Sequence, residues 1–135
     1  MGTAVTPAPF APGFSLQDGD KLDQALARPF WSTQDGVTAL AGGGKAGATP
    51  LTATISRLLT VATAADSALL PPALVGKHVV VINDGAAAAQ IFGQGTDTID
   101  GVATGTGVAL TNGKIALFFC TTLGAWHSMA AAKST

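Results

Sequence analysis

Charged side chains are scarce in this sequence of 135 residues. Asp, Lys and Arg make up 11% of the chain, and Glu and Tyr are absent, whereas charged residues form about 25% of typical soluble domains. The basic residues stand singly and the net charge is −1, so nothing here could neutralise a row of phosphates and we expect no nucleic-acid partner. A weakly charged surface indicates cover by other proteins, although short strands joined by Gly and Thr turns also need few charges.

Cysteine is almost absent as well. Cys120 stands alone, which excludes an intrachain disulfide, and its apolar neighbours predict a buried side chain. Residues 115–132 carry no charge, but Thr121-Thr122-Leu123-Gly124 in their middle is typical of a turn between two strands. The start Met1-Gly2-Thr3 lacks the basic and apolar regions of a secretory signal. We therefore expect no membrane partner.

Metal-binding motifs are weak. The run from Asp18 to Asp23 begins like a calcium loop, but Gln24 replaces its turn Gly and Pro29 stands at its closing acid. A second conceivable set matches no metal-ligand spacing: His78, Cys120 and His127. We predict no metal and no cofactor.

Catalytic motifs are equally weak. Three Asp residues lie beside Gly or Thr in turn contexts, where Asp more often bonds to the backbone than acts as a paired acid: Asp84, Asp97 and Asp100. No Gly-x-Ser-x-Gly elbow exists to present a nucleophilic serine. We predict a non-enzymatic protein with no catalytic residues.

Residues 1–50 differ in character from the rest and are predicted to form an extended N-terminal arm with a Gly-rich joint. Prolines near the start favour an extended, unpaired chain, and the stretch from Asp20 to Arg28 predicts a short helix that Pro29 ends. The run Gly42-Gly43-Gly44 is typical of a flexible joint. The arm carries four aromatic residues that we predict to anchor in a binding partner, the alternative being that they fold back over the chain's own body: Phe10, Phe14, Phe30 and Trp31.

Residues 51–129 are predicted to form a β body, followed by a flexible tail over residues 130–135. Polar and apolar residues alternate through much of residues 52–63, and Asn83-Asp84-Gly85 and Thr111-Asn112-Gly113 each predict a hairpin. Many short strands with turns between them predict an all-β fold, a small antiparallel β-sandwich or jelly-roll-like barrel. We expect Trp126 in its core, with a surface contact as the alternative.

Several short runs resemble a known family, and Gln90 to Ala103 is the most specific of them. The runs are Ala41 to Gly44, Leu51-Thr52-Ala53, Ser56-Arg57, Thr60 to Ser67, Leu70-Pro71, Val81-Ile82-Asn83, Gln90-Ile91-Phe92-Gly93, Gly95 to Ala103 and Ala125-Trp126-His127. Over residues 41–129 the chain resembles small structural proteins of tailed bacteriophages, namely head decoration, cement or head-fibre-like proteins. The resemblance implies a β-rich, oligomeric virion protein on the outside of an assembled shell.

We therefore expect a phage capsid decoration (cement) protein, made in the host cytoplasm and located on the head surface of the virion. Its expected partners are the major capsid protein and further copies of itself, as a trimer, and the N-terminal arm is expected to grip the major capsid protein or an adjacent copy. Two alternatives stay open. One is a head-fibre or tail-fibre base that anchors a receptor-binding element, and the other is a small carbohydrate-binding or hydrolytic module that presents Trp126.

Overall fold

The computed structural model describes residues 31–134, which belong to a compact unit that begins at Trp31. Within them the chain forms strands and no helix, so the all-β prediction is confirmed for this part of the protein. The arm anchors Phe10, Phe14 and Phe30 and the helix predicted from Asp20 to Arg28 lie outside the described residues. The strands are β1 Thr33–Thr38, β2 Thr49–Pro50, β3 Ile55–Thr60, β4 Ser67–Leu69, β5 His78–Asn83, β6 Ala89–Phe92, β7 Thr98–Ile99, β8 Val108–Leu110, β9 Lys114–Thr122 and β10 Ala125–Ala132.

The first six strands alternate between two sheets and wind as a coil. β1, β3 and β5 are successive neighbours in one sheet, and β2, β4 and β6 are successive neighbours in the other. All four of these pairings are parallel. Each turn of the coil therefore adds one strand to each sheet, which is a β-solenoid-like arrangement.

The last strands end the coil with antiparallel pairings. β8 pairs with β6 in the four-stranded sheet, and β9 pairs with β5 in the six-stranded sheet. β10 then returns along β9, and the short β7 lies parallel to its far side. The final orders are β1-β3-β5-β9-β10-β7 and β2-β4-β6-β8.

One apolar core is shared by the two sheets. The six-stranded sheet contributes Leu58, Phe118 and Trp126, and the four-stranded sheet contributes Ile91 and Leu110. Trp126 is 1% exposed and meets Phe118 edge-on, with ring centroids 6.5 Å apart, so the prediction of a core tryptophan is confirmed. Burial of such aromatic and aliphatic side chains is the main stabilising term of the fold.

The predicted antiparallel β-sandwich or jelly-roll-like barrel is wrong, because neighbouring strands of the coil are parallel and consecutive strands lie in different sheets. The Asn83-Asp84-Gly85 turn shows the reason. Asn83 Nδ2 donates to the carbonyls of Ala87 at 2.9 Å and Leu110 at 2.8 Å, and Asn83 Oδ1 accepts from the Gly85 N–H at 2.9 Å. The turn is a corner that passes the chain from β5 to the other sheet, not a hairpin.

The close packing of this corner explains its glycine. A Cβ atom built on Gly85 would lie 2.5 Å from the backbone nitrogen of Val61, nearer than real Cβ atoms approach. The second predicted hairpin, at Asn112-Gly113, is likewise a corner, because β8 and β9 lie in different sheets. A turn does separate two strands near Thr121 to Gly124, as predicted, but it is confined to Leu123-Gly124, and the strands β9 and β10 pair as a hairpin.

The Gly-rich stretch after β1 is part of the compact unit and not a flexible joint. The Gly42 N–H donates to Asp66 Oδ1 at 3.1 Å, and a Cβ atom on Gly43 would lie 2.6 Å from the Ala65 carbonyl oxygen. The unit that begins at Trp31 thus includes β1 and β2, which precede the boundary predicted at residue 50. At the other end β10 runs to Ala132, inside the segment predicted as a tail.

Candidate protein-binding face

The six-stranded sheet has a second apolar surface on the side away from the core. Side chains alternate across a strand, and in β5 Val79 and Val81 are buried while His78, Val80 and Ile82 are partly exposed. In β9 the adjacent Phe118 and Phe119 are 1% and 42% exposed. We call the outward side chains of four adjacent strands the outer face: Ile55, Arg57 and Leu59 of β3, His78, Val80 and Ile82 of β5, Ile115, Leu117 and Phe119 of β9, and His127, Met129 and Ala131 of β10.

The strand register aligns these side chains in rows. The central row crosses all four strands without a polar group, through the paired positions Ile55, Val80, Leu117 and Met129. Met129 is 56% exposed. Side chains at paired positions are direct neighbours on a sheet, so the row is a continuous apolar strip.

An aromatic row lies beside the central row. Phe119 is paired with His78 on one side and with His127 on the other. Trp31, the one predicted arm anchor among the described residues, packs its ring edge-on against His78, with centroids 4.7 Å apart, and stays 50% exposed. The first residue of the compact unit therefore lies at a corner of the outer face.

Charged groups bound the opposite end of the face. Arg57 binds Asp35 at 3.0 Å and Asp84 at 2.6 Å, and Lys133 also contacts Asp84. Hydrogen bonds from Lys133 and then Arg57 lower the pKa of Asp84, and those from Arg57 and the Gly36 N–H lower the pKa of Asp35. These partly exposed pairs add little stability. They do give the face one charged border.

A shallow cavity lies between this border and the apolar rows. Its volume is about 290 Å³, and it is lined by Thr33, Gln34, Asp35, Ile55, Arg57 and Ile82. The aliphatic chains of Ile55 and Ile82 supply an apolar wall below the Arg57–Asp35 pair. A space of this size is close to the lower end of ligand pockets.

The residues weighed as metal or acid–base groups do not come together. Cys120 is buried and faces the core, whereas His78 and His127 lie on the opposite, outer side of the sheet. No group of three or more His, Cys or Asp side chains in residues 31–134 could hold a metal ion. The loop from Asp18 to Asp23 lies outside the described residues.

The Asp residues bond to the backbone at separate places in the fold. Asp97 accepts from the Ala73 N–H at 2.8 Å, and Asp100 accepts from the Ser128 N–H at 2.8 Å. Asp66 sits in a buried turn and accepts from the Ala62 N–H at 2.9 Å and the Thr63 N–H at 3.0 Å. The bonds from Thr63 are the main reason that the pKa of Asp66 is lowered. Asp97 and Asp100 bond to the backbone as predicted, although to segments far along the chain. The same prediction for Asp84 is wrong, because its carboxylate binds the side chains of Arg57 and Lys133.

The outer face was not predicted from the sequence, although two runs of residues indicate it. The run His78 to Ile82 and the run Ile115 to Cys120 are apolar at nearly every position instead of alternating. Strands that are apolar at successive positions are typical of sheets covered on both sides. In the described residues one side of this sheet is covered by the core, and the other is the outer face.

Comparison with family models, with curated proteins and with solved structures finds no match to this chain. No helix among residues 31–134 is long and apolar enough to cross a membrane.

Proposed function

We propose that this chain is a non-enzymatic structural protein of a phage virion, a capsid decoration (cement) protein that binds the outer surface of the assembled head. The proposal joins the resemblance over residues 41–129 to one structural observation, the apolar outer face. Its partners are the major capsid protein and further copies of the chain, associated as a trimer.

The outer face supports a protein partner more than a small-molecule substrate. Its central row, Ile55, Val80, Leu117 and Met129, offers no hydrogen-bonding group to orient a substrate. Contiguous apolar patches on a soluble fold are commonly interaction sites. Large partly exposed side chains such as Phe119 and Met129 are the kind enriched in protein interfaces.

Such a protein would act by mass action. A ligand that binds the assembled lattice, and not its free subunits, stabilises the lattice by its binding free energy at every occupied position. The proposal needs no bond to be made or broken. It requires a rigid surface, which the shared core below the outer face supplies.

Cryo-electron microscopy of virions from the phage that encodes the chain tests the proposal. We expect density for the ten-stranded body at many symmetric positions across the head. Absence of the chain from purified virions, checked by mass spectrometry, contradicts the proposal. Density only at vertices or on the tail supports the alternative of a head-fibre or tail-fibre base.

A deletion tests the role of the arm in capsid binding. Removal of residues 2–30 leaves β1 intact, because β1 begins at Thr33. We expect this variant to keep its β-rich circular dichroism spectrum and to bind capsids more weakly in a sedimentation assay. Phe119→Ser in the full-length chain changes the outer face and keeps the arm, so it is compared with the deletion in the same assay. Unchanged capsid occupancy after the deletion would exclude the arm as the gripping element.

The carbohydrate-binding alternative loses its basis in the structure. Trp126 is 1% exposed and packs against Phe118, so its ring is not available as a platform for a sugar.

A further inference from the structure

The apolar strip of the outer face is too small to hold a folded partner by itself. Four strands spaced about 4.8 Å apart give a width of about 15 Å, and five residues along a strand give a length of about 13 Å. The resulting footprint of about 200 Å² is far below the roughly 800 Å² per partner of a stable protein–protein interface. An extended peptide of about five residues has the right length to cross it.

The N-terminal segment of the chain, residues 1–30, has the matching composition. Residues 1–17 contain no charged side chain, and they include Phe10 and Phe14. An uncharged peptide loses no ionic hydration when it covers an uncharged strip such as the row through Leu117. Charged residues of the segment occur only from Asp18 onward, and the outer face also keeps its charges at its border.

The position of Trp31 links the segment to this face. Trp31 follows the segment directly, and its ring already lies against His78 at the aromatic row. Thirty residues reach up to about 100 Å when extended, which is ample to cross to the same face of a neighbouring subunit. The compact unit therefore begins beside the outer face, and the segment before it is long enough to reach the same face of an adjacent copy.

We propose that the outer face binds the N-terminal segment of a second copy of this chain, with Phe10 or Phe14 packed on the row of Ile55, Val80, Leu117 and Met129. This inference rests on the self-association in the proposed function and names the contact that produces it. Exchange of segments between subunits covers the apolar strip and links the copies in one step.

Site-specific photo-crosslinking in the full-length protein tests the inference. The photoreactive residue p-benzoylphenylalanine replaces Phe119 on the outer face or, as a control, the exposed Ala109 of β8 in the other sheet. Equal amounts of ¹⁴N- and ¹⁵N-labelled protein are mixed, irradiated and digested. We expect crosslinks from position 119 to peptides of residues 1–30, with mixed labels in the proportion of random pairing, and none from position 109.

Three results overturn the inference. Crosslinked peptides that share one label place the segment on its own subunit. Crosslinks from position 119 to residues 31–134 of a second copy indicate that the faces themselves pack together. Equal crosslinking from positions 109 and 119 shows that contact with the segment is unspecific.

A triple variant adds a readout in solution. We expect Phe10→Ser, Phe14→Ser and Phe30→Ser together to shift the protein to monomers in sedimentation-velocity experiments while the melting temperature of the β body is kept. A mutant that stays oligomeric contradicts the exchange. A full-length protein that is monomeric yet present on virions overturns this inference and the trimer, and leaves the proposed role on the capsid standing.

Discussion

The two faces of the six-stranded sheet are built from the same strands and differ in what covers them. Phe118 and Phe119 are adjacent in β9, and the first is 1% exposed while the second is 42% exposed. The inner face also accepts polar groups, since Ser56 and Asn83 are fully buried there. The central row of the outer face has none. The face that packs the core thus contains polar groups that the central row of the outer face lacks.

This difference shows that apolar composition does not by itself identify a core. The inner face tolerates Asn83 because its side chain bonds the carbonyls of Ala87 and Leu110 and so shapes a corner. A buried polar group with its hydrogen bonds made costs little. The central row of the outer face makes no such hydrogen bonds, and a binding role for it is the proposal made above.

The largest expected contrast comes from the two phenylalanines. Phe118→Ala should lower the free energy of unfolding by about 3–5 kcal/mol, because it leaves a cavity beside Trp126. Phe119→Ala should change it by about 0.5 kcal/mol, as is usual for surface changes. Urea denaturation at low protein concentration, where association is minimal, measures both. Equal losses would show that the outer face is part of the core after all.

The next contrast concerns the end of β5. Asn83→Leu should cost about 1–3 kcal/mol of unfolding free energy, because two buried carbonyls lose their donor. Ile82→Val on the outer face should cost less than about 1 kcal/mol, since the side chain is only partly buried. Thermal unfolding followed by circular dichroism compares the two. A larger loss for the Ile82 variant would reverse the assignment of the faces.

A charge placed in the central row should separate association from stability. Leu117→Asp is expected to weaken self-association at least about tenfold, or by about 1.4 kcal/mol, because the carboxylate must lose water at the interface. Leu117→Met keeps the apolar volume and serves as the control. Analytical ultracentrifugation over a dilution series gives the dissociation constant of each variant. Equal dissociation constants for the two variants would exclude the central row from the interface.

The smallest contrast is between two carboxylates. The pKa values of Asp66 and Asp35 are both lowered by hydrogen bonds in the folded protein. Their contribution to stability is therefore full above the ordinary carboxyl range, near pH 4, and is lost as the pH falls through the lowered values. Asp66 is buried, whereas the side chain of Asp35 is 72% exposed. We therefore expect Asp66→Asn to reduce the loss of unfolding free energy at acid pH more than Asp35→Asn does.

Denaturation curves recorded between pH 2 and about pH 6 span that range. If the unfolding free energy changes with pH at the same slope in wild type and in the Asp66 variant, the charged carboxylate does not stabilise the turn around Asp66.

The strands were more predictable than their pairing. Runs such as His78 to Ile82 predict β5 because local side-chain pattern decides strand formation. The pairing depends on whether a turn reverses the chain within one sheet or passes it to another. Asn-Gly and Asp-Gly sequences serve both kinds of turn, and at Gly85 the deciding contact is with Val61, 24 residues earlier. That contact has no local signal.

The candidate site was predictable only in part. Trp31 was singled out as a partner anchor because an aromatic residue beside a Pro-rich segment is locally conspicuous, and that role stays a prediction. Its observed neighbour, His78, comes from a strand far along the chain. The central row depends on register across four strands, which a single sequence does not encode locally. The apolar runs of β5 and β9 are typical of covered strands but do not indicate which side needs cover.

The coiled path of the first six strands makes the length of this protein adjustable in whole units. β1, β3 and β5 begin at Thr33, Ile55 and His78, so each turn of the coil uses a similar length of chain and meets only the turns before and after it. Duplication of residues 55–77 would add one strand to each sheet and lengthen the body by about 4.8 Å. Both ends would keep their own contacts. The body could thus grow to span a wider gap between neighbours without a new fold.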